Sequence, residues 1–147
     1  MSIRIALPAD IPQLHRIRMN VRENVLRNPA LVTEKDYEEF LTASGKGWLY
    51  ETENGVAGFA IVDTKQGNVW ALFVDPLFEK KGIGRALQDT MLRWFFENSS
   101  GILWLSTAPG TRAESFYRKS GWMFTGMTKS GECRFEMSVE SWRQQNL

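Results

Sequence analysis

Asn68-Val69-Trp70-Ala71-Leu72-Phe73-Val74-Asp75-Pro76-Leu77-Phe78-Glu79-Lys80-Lys81-Gly82-Ile83-Gly84-Arg85 is the stretch from which the fold is read. Its first part, Asn68 to Val74, is almost continuously apolar, the pattern of a strand covered on both faces. Asp75-Pro76 ends that strand, because proline has no N–H for a ladder and fixes its own φ. Beyond the glycines, Ile83, Ala86, Leu87, Thr90, Met91, Trp94 and Phe95 recur at helical spacing and predict one apolar helix face. A strand that feeds a helix through glycines is a device for holding an anion. The first-turn N–H groups are unpaired, the helix dipole is positive there, and glycine lets a phosphate approach the backbone. Lys80, Lys81 and Arg85 add positive charge at the same place.

Two phosphate motifs do not fit. A nucleotide P-loop needs a Lys-Ser/Thr pair after its last glycine, and Gly84 is followed by Arg85-Ala86. The dinucleotide fingerprint needs a third glycine where Leu87 stands. What remains resembles the coenzyme A signature of the GNAT superfamily of N-acetyltransferases, Gln/Arg-x-x-Gly-x-Gly/Ala, here on Glu79-Lys80-Lys81-Gly82-Ile83-Gly84. Glu79 departs from that pattern. Since backbone donors do most of the holding, its side chain is expected to turn outward.

The 147 residues suit one domain, taken as 1–147, with a core supplied largely by six tryptophans and nine phenylalanines. A net charge of +1, with basic and acidic residues interspersed, gives no field to recruit nucleic acid or a membrane. The single Cys133 excludes a disulfide within the chain and a multi-cysteine zinc site, and no metal is expected. No apolar run reaches the length of a membrane span and the N-terminus lacks a signal-peptide core, so the expected setting is cytoplasmic.

Around the opening stretch the elements follow in order. Ile3 to Leu7 reads as a short strand, and Asp10 with Gln13 as a capping box for a helix with a buried stripe of Leu14, Ile17, Val21 and Val25. His15, the only histidine, falls beside that stripe and reads as a helix-surface residue. Arg27-Asn28-Pro29 breaks the helix, Thr33 to Asp36 starts a second one anchored by Tyr37, Phe40 and Leu41, and Gly45 and Gly47 are expected to end it. Asn54-Gly55 joins Trp48–Glu51 to Val56–Val62 in a hairpin, and Gly58 weakens the second strand unless something packs against it. The glycine-turn helix ends near Asn98-Ser99-Ser100-Gly101, and Ile102–Thr107 forms a strand parallel to Asn68–Val74, as a strand–helix–strand crossover requires. A second capping box on Thr111 and Glu114 opens a short helix that stops at Gly121. Trp122–Thr128 and Cys133–Val139 close the chain as a hairpin, with a polar tail from Glu140.

This order matches the GNAT fold over essentially the full length. The implied class is α/β (α+β): a mixed, mostly antiparallel sheet of about seven strands with four helices and a splayed parallel pair at its centre. The second family signature, Asn-x-x-Ala-x-x-hydrophobic-Tyr-x-x-x-Gly-Phe, resembles Gly110 to Trp122, where Ala113, Phe116, Tyr117 and Gly121 fit. Gly110 replaces the asparagine, so a side-chain contact to pantetheine is missing, and Trp122 replaces phenylalanine.

The resemblance implies acetyl-CoA as acetyl donor. Its pantetheine arm would lie in the splay on the backbone of Leu72, Phe73 and Val74, with an N–H there as oxyanion donor. Its pyrophosphate would sit on the N–H groups from Lys81 through Gly82, Ile83 and Gly84 to Arg85. Tyr117 is the implied acid toward the leaving thiolate. No base is assigned: Asn68, Ser106 and Thr107 stand where relatives carry a glutamate, and Glu23 and Glu132 read as surface charges. The acceptor is an amine of a small molecule or peptide, bound between the first two helices and the last hairpin. Among Arg18, Arg22, Glu23, Arg27, Lys129, Glu132 and Arg134 on those segments, Arg22 and Arg27 hint at a carboxylate-bearing acceptor. A homodimer is compatible with this reading. The alternative function is a non-catalytic acyl-CoA-binding or interaction module on the same fold.

Overall fold

The computed structural model describes residues 2–21 and 32–146. Val25, Arg22, Glu23, Arg27 and the break expected at Asn28-Pro29 lie outside the described residues. Seven strands form one sheet: β1 (Ser2–Ile5), β2 (Gly45–Thr52), β3 (Gly55–Asp63), β4 (Asn68–Val74), β5 (Leu103–Thr107), β6 (Met123–Met127) and β7 (Cys133–Met137). They are ordered β1-β2-β3-β4-β5-β7-β6. β4 and β5 run parallel and all other neighbours antiparallel. The described helices are α1 (Ile11–Asn20), α2 (Glu34–Leu41), α3 (Ile83–Asn98), α4 (Arg112–Lys119) and α5 (Val139–Gln145). The mixed sheet and the parallel crossover are those the sequence predicts.

The two faces of the sheet carry separate cores. α1 and α2 bury Leu14, Ile17 and Tyr37 against Leu49, Phe59, Ile61 and Ala71. α3 buries Leu87, Met91 and Phe95 against Ala60, Val62 and Leu103, with Phe135 and Trp122 beyond. Each fully buried Leu or Phe contributes about 1.5–3 kcal/mol by removal from water. β3 is buried from Val56 to Asp63 and is the strand the two cores share. Gly58 does have a close neighbour: a Cβ there would lie 2.9 Å from the Phe73 carbonyl oxygen and 3.2 Å from Leu87 Cδ1.

β4 is not a straight strand. Ile61 pairs with Ala71 but Val62 pairs with Val69, so Trp70 is an extra residue in a bulge. Trp70, Ala71 and Phe73 consequently join the α1/α2 core while Val69, Leu72 and Val74 join the α3 core.

Four local expectations are corrected. The Asp10–Gln13 capping box does not form. A 3-10 turn, Pro8–Asp10, precedes α1, and Asp10 accepts from Leu7 N–H at 2.8 Å and from both terminal nitrogens of Arg4 at 2.9 Å. A forked guanidinium is a stronger partner than a helix N–H, and Gln13 Oε1 accepts from Val56 N–H at 3.4 Å instead. Gly45 and Gly47 do not end α2 but lie in β2, where a Cβ on Gly45 would collide with the backbone oxygens of Val62 and Phe40. Glu114 completes no reciprocal box with Thr111: the Thr111 hydroxyl accepts from Glu114 N–H at 3.3 Å, but the Glu114 carboxylate accepts from Gly110 N–H at 2.8 Å. The tail from Glu140 is helical, so the described residues hold five α-helices where four helices are expected. Ser138 caps α5, and Trp142 stacks on Phe96 with ring centroids 5.5 Å apart.

Candidate active site

β4 and β5 meet at one register pair, Asn68 with Trp104. Trp104 N–H donates to Gly67 O at 2.8 Å, and Asn68 Nδ2 donates to Trp104 O at 3.2 Å. From there β5 follows β7 along all its residues while β4 follows β3, and the parallel pair diverges. Asp75 N–H donates to Ala57 O across β3 at 2.8 Å. Alternation along the strand therefore turns the backbone groups of Phe73 toward β3 and those of Leu72 and Val74 into the gap. Strand amides facing no neighbouring strand are groups that need a partner.

The gap opens into a cleft of about 620 Å³. Leu72, Phe73 and Val74 form one wall, and Ala113, Phe116 and Tyr117 of α4 the other; Lys80, Gly82, Ile83, Gly84 and Arg85 lie at its mouth. Lys81 is the one predicted site residue that does not line it, its ammonium lying over the Phe78 ring at 5.6 Å. Val21, Pro76, Phe78, Glu79 and Arg112 complete the lining. Nothing in the local sequence pattern marks Val21 or Arg112 as a cleft residue.

The mouth is built from backbone. Lys80 and Gly82 both take left-handed conformations, φ +62° and +79°, a geometry that turns nearby N–H groups toward one concavity. A Cβ on Gly82 would meet nothing within 4 Å, so the space beside it is open. Ala86 N–H makes the first helical bond, to Gly82 O at 3.0 Å, which leaves the N–H groups of Ile83, Gly84 and Arg85 without intrahelical acceptors. Glu79 is exposed at the mouth but is not a free charge. Its carboxylate is ion-paired with Arg112 of α4, because α4 brings a guanidinium to the opposite lip.

Gly110 has φ +76°, a region that asparagine also tolerates, which is the physical basis for one replacing the other. Its N–H donates to the Glu114 carboxylate in the first turn of α4, and that carboxyl is held below the usual range by this bond and by Arg118. Tyr117 is 7% exposed. Its ring meets Phe116, Trp122 and Phe135 at centroid distances of 5.3, 5.7 and 6.0 Å. Trp122 is fixed in turn by Nε1–H donating to the buried Gln88 Oε1 at 3.0 Å. Burial pushes the Tyr117 phenol well above its ordinary pKa, so it remains a protonated donor. His15 is a partner of Tyr37, Nδ1 to hydroxyl 3.0 Å, and does not line the cleft. Glu132 is not a free surface charge: it accepts from Ser106 of β5 at 3.1 Å.

The family model described as "Acetyltransferase (GNAT) family" matches residues 12–122, and the chain belongs to that family. No curated protein sequence matches it. Among solved structures it is similar to the ribosomal-protein-S18-alanine N-acetyltransferase of Escherichia coli, with TM-score 0.73 and 20% identity over 92% of this chain and 90% of that one. The PaiA N-acetyltransferase of Thermoplasma acidophilum, in complex with coenzyme A, gives TM-score 0.79 and 14% identity over 94% and 99%. An N-acetyltransferase of Staphylococcus aureus Mu50 gives 0.78 and 16% over 94% and 98%. These likenesses are of fold.

Among the described residues no helix is long and apolar enough to cross a membrane, and no cluster of three or more His, Cys, Asp or Glu is placed to hold a metal.

Proposed function

We propose that this chain is an acetyl-CoA-dependent N-acetyltransferase that moves the acetyl group directly to a primary amine of a small molecule or peptide. The observation that carries the reading is the conjunction, in one cleft, of a diverging parallel strand pair and a left-handed glycine turn at a helix N-terminus. Coenzyme A has the matching chemistry: a diphosphate for the turn and an amide-bearing arm for the strand gap.

In this reading the N–H groups from Lys81 to Arg85 hold the diphosphate, with Lys80 adding charge. The outward backbone groups of Leu72 and Val74 pair with the pantetheine amides, and Ala113 and Phe116 close the opposite wall. The bound coenzyme supplies an activated acyl group as its thioester. A β4 N–H facing the gap is a fixed donor for charge that develops on the acyl oxygen, where such a donor is worth most. Tyr117 donates its O–H to the departing sulfur. Because burial disfavours the phenolate, the role kept for it is hydrogen-bond donation, with the proton following only as sulfur gains charge. Water is excluded by the apolar walls, Phe78 and Phe116 among them. The expected setting is a reducing, cytoplasmic one, in which the buried Cys133 stays a thiol.

Thiol release from acetyl-CoA across a panel of amines, for wild type and Tyr117→Phe, tests the reading. Turnover on at least one amine that collapses in the variant supports it. Tight coenzyme A binding with no turnover on any amine would instead make the chain a non-catalytic acyl-CoA-binding module.

A further inference from the structure

Arg18 is a half-buried charge that the chemistry above does not use. Its guanidinium carbon lies 4.6 Å from the centroid of the Phe73 ring, and Phe73 lines the cleft from the α1/α2 side of the sheet. Val21, three residues further on, lines the same cleft. The Arg18 Nε–H is buried without a hydrogen-bond partner, the only such side-chain polar atom among the described residues. Burial lowers the pKa of Arg18, and among the described residues Tyr37, not an aspartate or glutamate, acts the other way. Among the described residues, the Arg18 Nε–H is thus buried next to a side chain that lines the cleft, and it has an aromatic face beside it but no acidic partner.

That arrangement is costly for a permanent cation unless an anion completes it. A carboxylate fits best, since two parallel N–H···O bonds match the planar fork. Across the gap, Leu103 and Leu105 of β5 face the α3 core, so Ser106 points to the other face, where its hydroxyl donates to Glu132. Arg134, opposite Ser106 on the same face, is ion-paired with Glu136 at 3.1 Å, so a zwitterion with its carboxylate at Arg18 and its amine at Glu132 complements the charges on the two sides of the gap.

We propose that Arg18 binds a carboxylate of the acetyl acceptor, which makes the acceptor a free amino acid or a closely related amino-carboxylic acid. This rests on the acetyltransferase reading, and it assigns that reaction a substrate class. The amine end of such a molecule lies toward Ser106 and Glu132, and so toward the thioester end of the gap.

The test uses the full chain and pairs of probes that differ only in the carboxylate, such as L-alanine with L-alaninamide and L-glutamate with its α-amide. Binding is followed by the NMR signal of the buried Arg18 Nε–H, and coenzyme A affinity is measured separately by calorimetry. The free acids are expected to shift the Arg18 signal and to bind about ten- to a hundredfold more tightly than the amides. Arg18→Gln is expected to abolish the preference with coenzyme A affinity unchanged, and Arg18→Lys, which keeps the charge without the fork, to restore part of it. Equal binding of acid and amide, no binding of any amino acid, or tighter binding of peptides with amidated ends overturns the inference. So does a preference that survives in Arg18→Gln. If the glutamine variant does not fold, the wild-type probe pairs still decide. Coenzyme A binding without a carboxylate preference defeats this inference alone. A carboxylate preference without coenzyme A binding defeats the cofactor reading and leaves Arg18 as an anion site.

Discussion

The Glu79 carboxylate is ion-paired with the Arg112 guanidinium, which joins the loop before α3 to the first turn of α4 across the mouth of the cleft. The pair is partly exposed, so its own contribution to stability is small. Its effect on an anion at the mouth is larger, because Glu79 both occupies Arg112 and adds negative charge beside the expected diphosphate. Glu79→Gln is expected to raise coenzyme A affinity several-fold at low ionic strength. The gain should shrink as the Debye length contracts from about 10 Å at 0.1 M salt to about 3 Å at 1 M. Calorimetric titrations at both salt concentrations check this; an unchanged or weakened affinity would count against a diphosphate at this position.

Tyr117→Phe removes a hydroxyl but keeps the ring contacts with Phe116, Trp122 and Phe135. Turnover is expected to fall about 10²–10⁴-fold, the range for a positioned acid, with little change in melting temperature or in coenzyme A affinity. Since burial raises the phenol pKa, the protonated donor persists through the ordinary tyrosine range. Ionisation of Tyr117 should therefore cause no loss of activity below about pH 10. A variant with wild-type turnover would leave Tyr117 as a core residue only.

Gly58→Ala places a methyl 2.9 Å from the Phe73 carbonyl oxygen and within 3.3 Å of Leu87 and Ile83 side-chain atoms. Backbone cannot retreat as a flexible side chain does, so a loss of about 1–3 kcal/mol is expected in urea denaturation. Gly82→Ala meets open space but must hold φ +79°, at a cost of about 1–2 kcal/mol. Only the second variant is expected to lose coenzyme A affinity out of proportion to its stability. Equal effects on affinity would argue against a special role for the turn.

Asp10 gives a pH signature. Hydrogen bonds from Arg4, against the opposing effect of burial, hold its folded-state pKa below the reference value of 3.8. Its contribution is therefore complete above that value and is lost as the pH falls through the lower, folded-state one. Wild type is expected to melt at progressively lower temperature on acidification below about pH 4, and Asp10→Asn to show a shallower decline from a lower starting point. Parallel melting curves between pH 6 and 2.5, set about the Asp range, would exclude the Arg4 pair as the cause.

Much of this architecture could be read from local pattern. Asn54-Gly55 announces its hairpin through glycine's φ of +107°, Thr33 its helix through a hydroxyl accepting from Asp36 N–H, and the apolar run from Val69 its buried strand. These signals concern neighbours in the chain, where geometry follows from residue type. Features that depend on distant partners were not legible. Asp10 has the composition of a helix cap, but Arg4 lies across the sheet edge to claim it. Gly45 and Gly47 read as helix stops, and it is the closeness of Val62 and Phe40 to the first, and of Leu41 and Ile61 to the second, that explains them as strand residues. Motif spacing points to Leu72–Val74 and Gly82–Arg85, which line one cleft. By contrast, Glu79's partner, Ser106's bond to Glu132 and the buried, unbonded Nε–H of Arg18 follow only from the fold.

The extra residue at Trp70 has a consequence for how far β4 can be altered. It acts as a half-step in the strand's two-residue beat. Without it, Ala71 and Phe73 would swap sides with Leu72 and Val74, and the amides now open to the gap would be spent on the ladder with β3. Insertions and deletions are thus absorbed easily at the Asn54-Gly55 or Lys129–Gly131 turns, which only join strands. One residue gained or lost between Val69 and Leu72 would invert the site while leaving every side chain in it chemically unchanged.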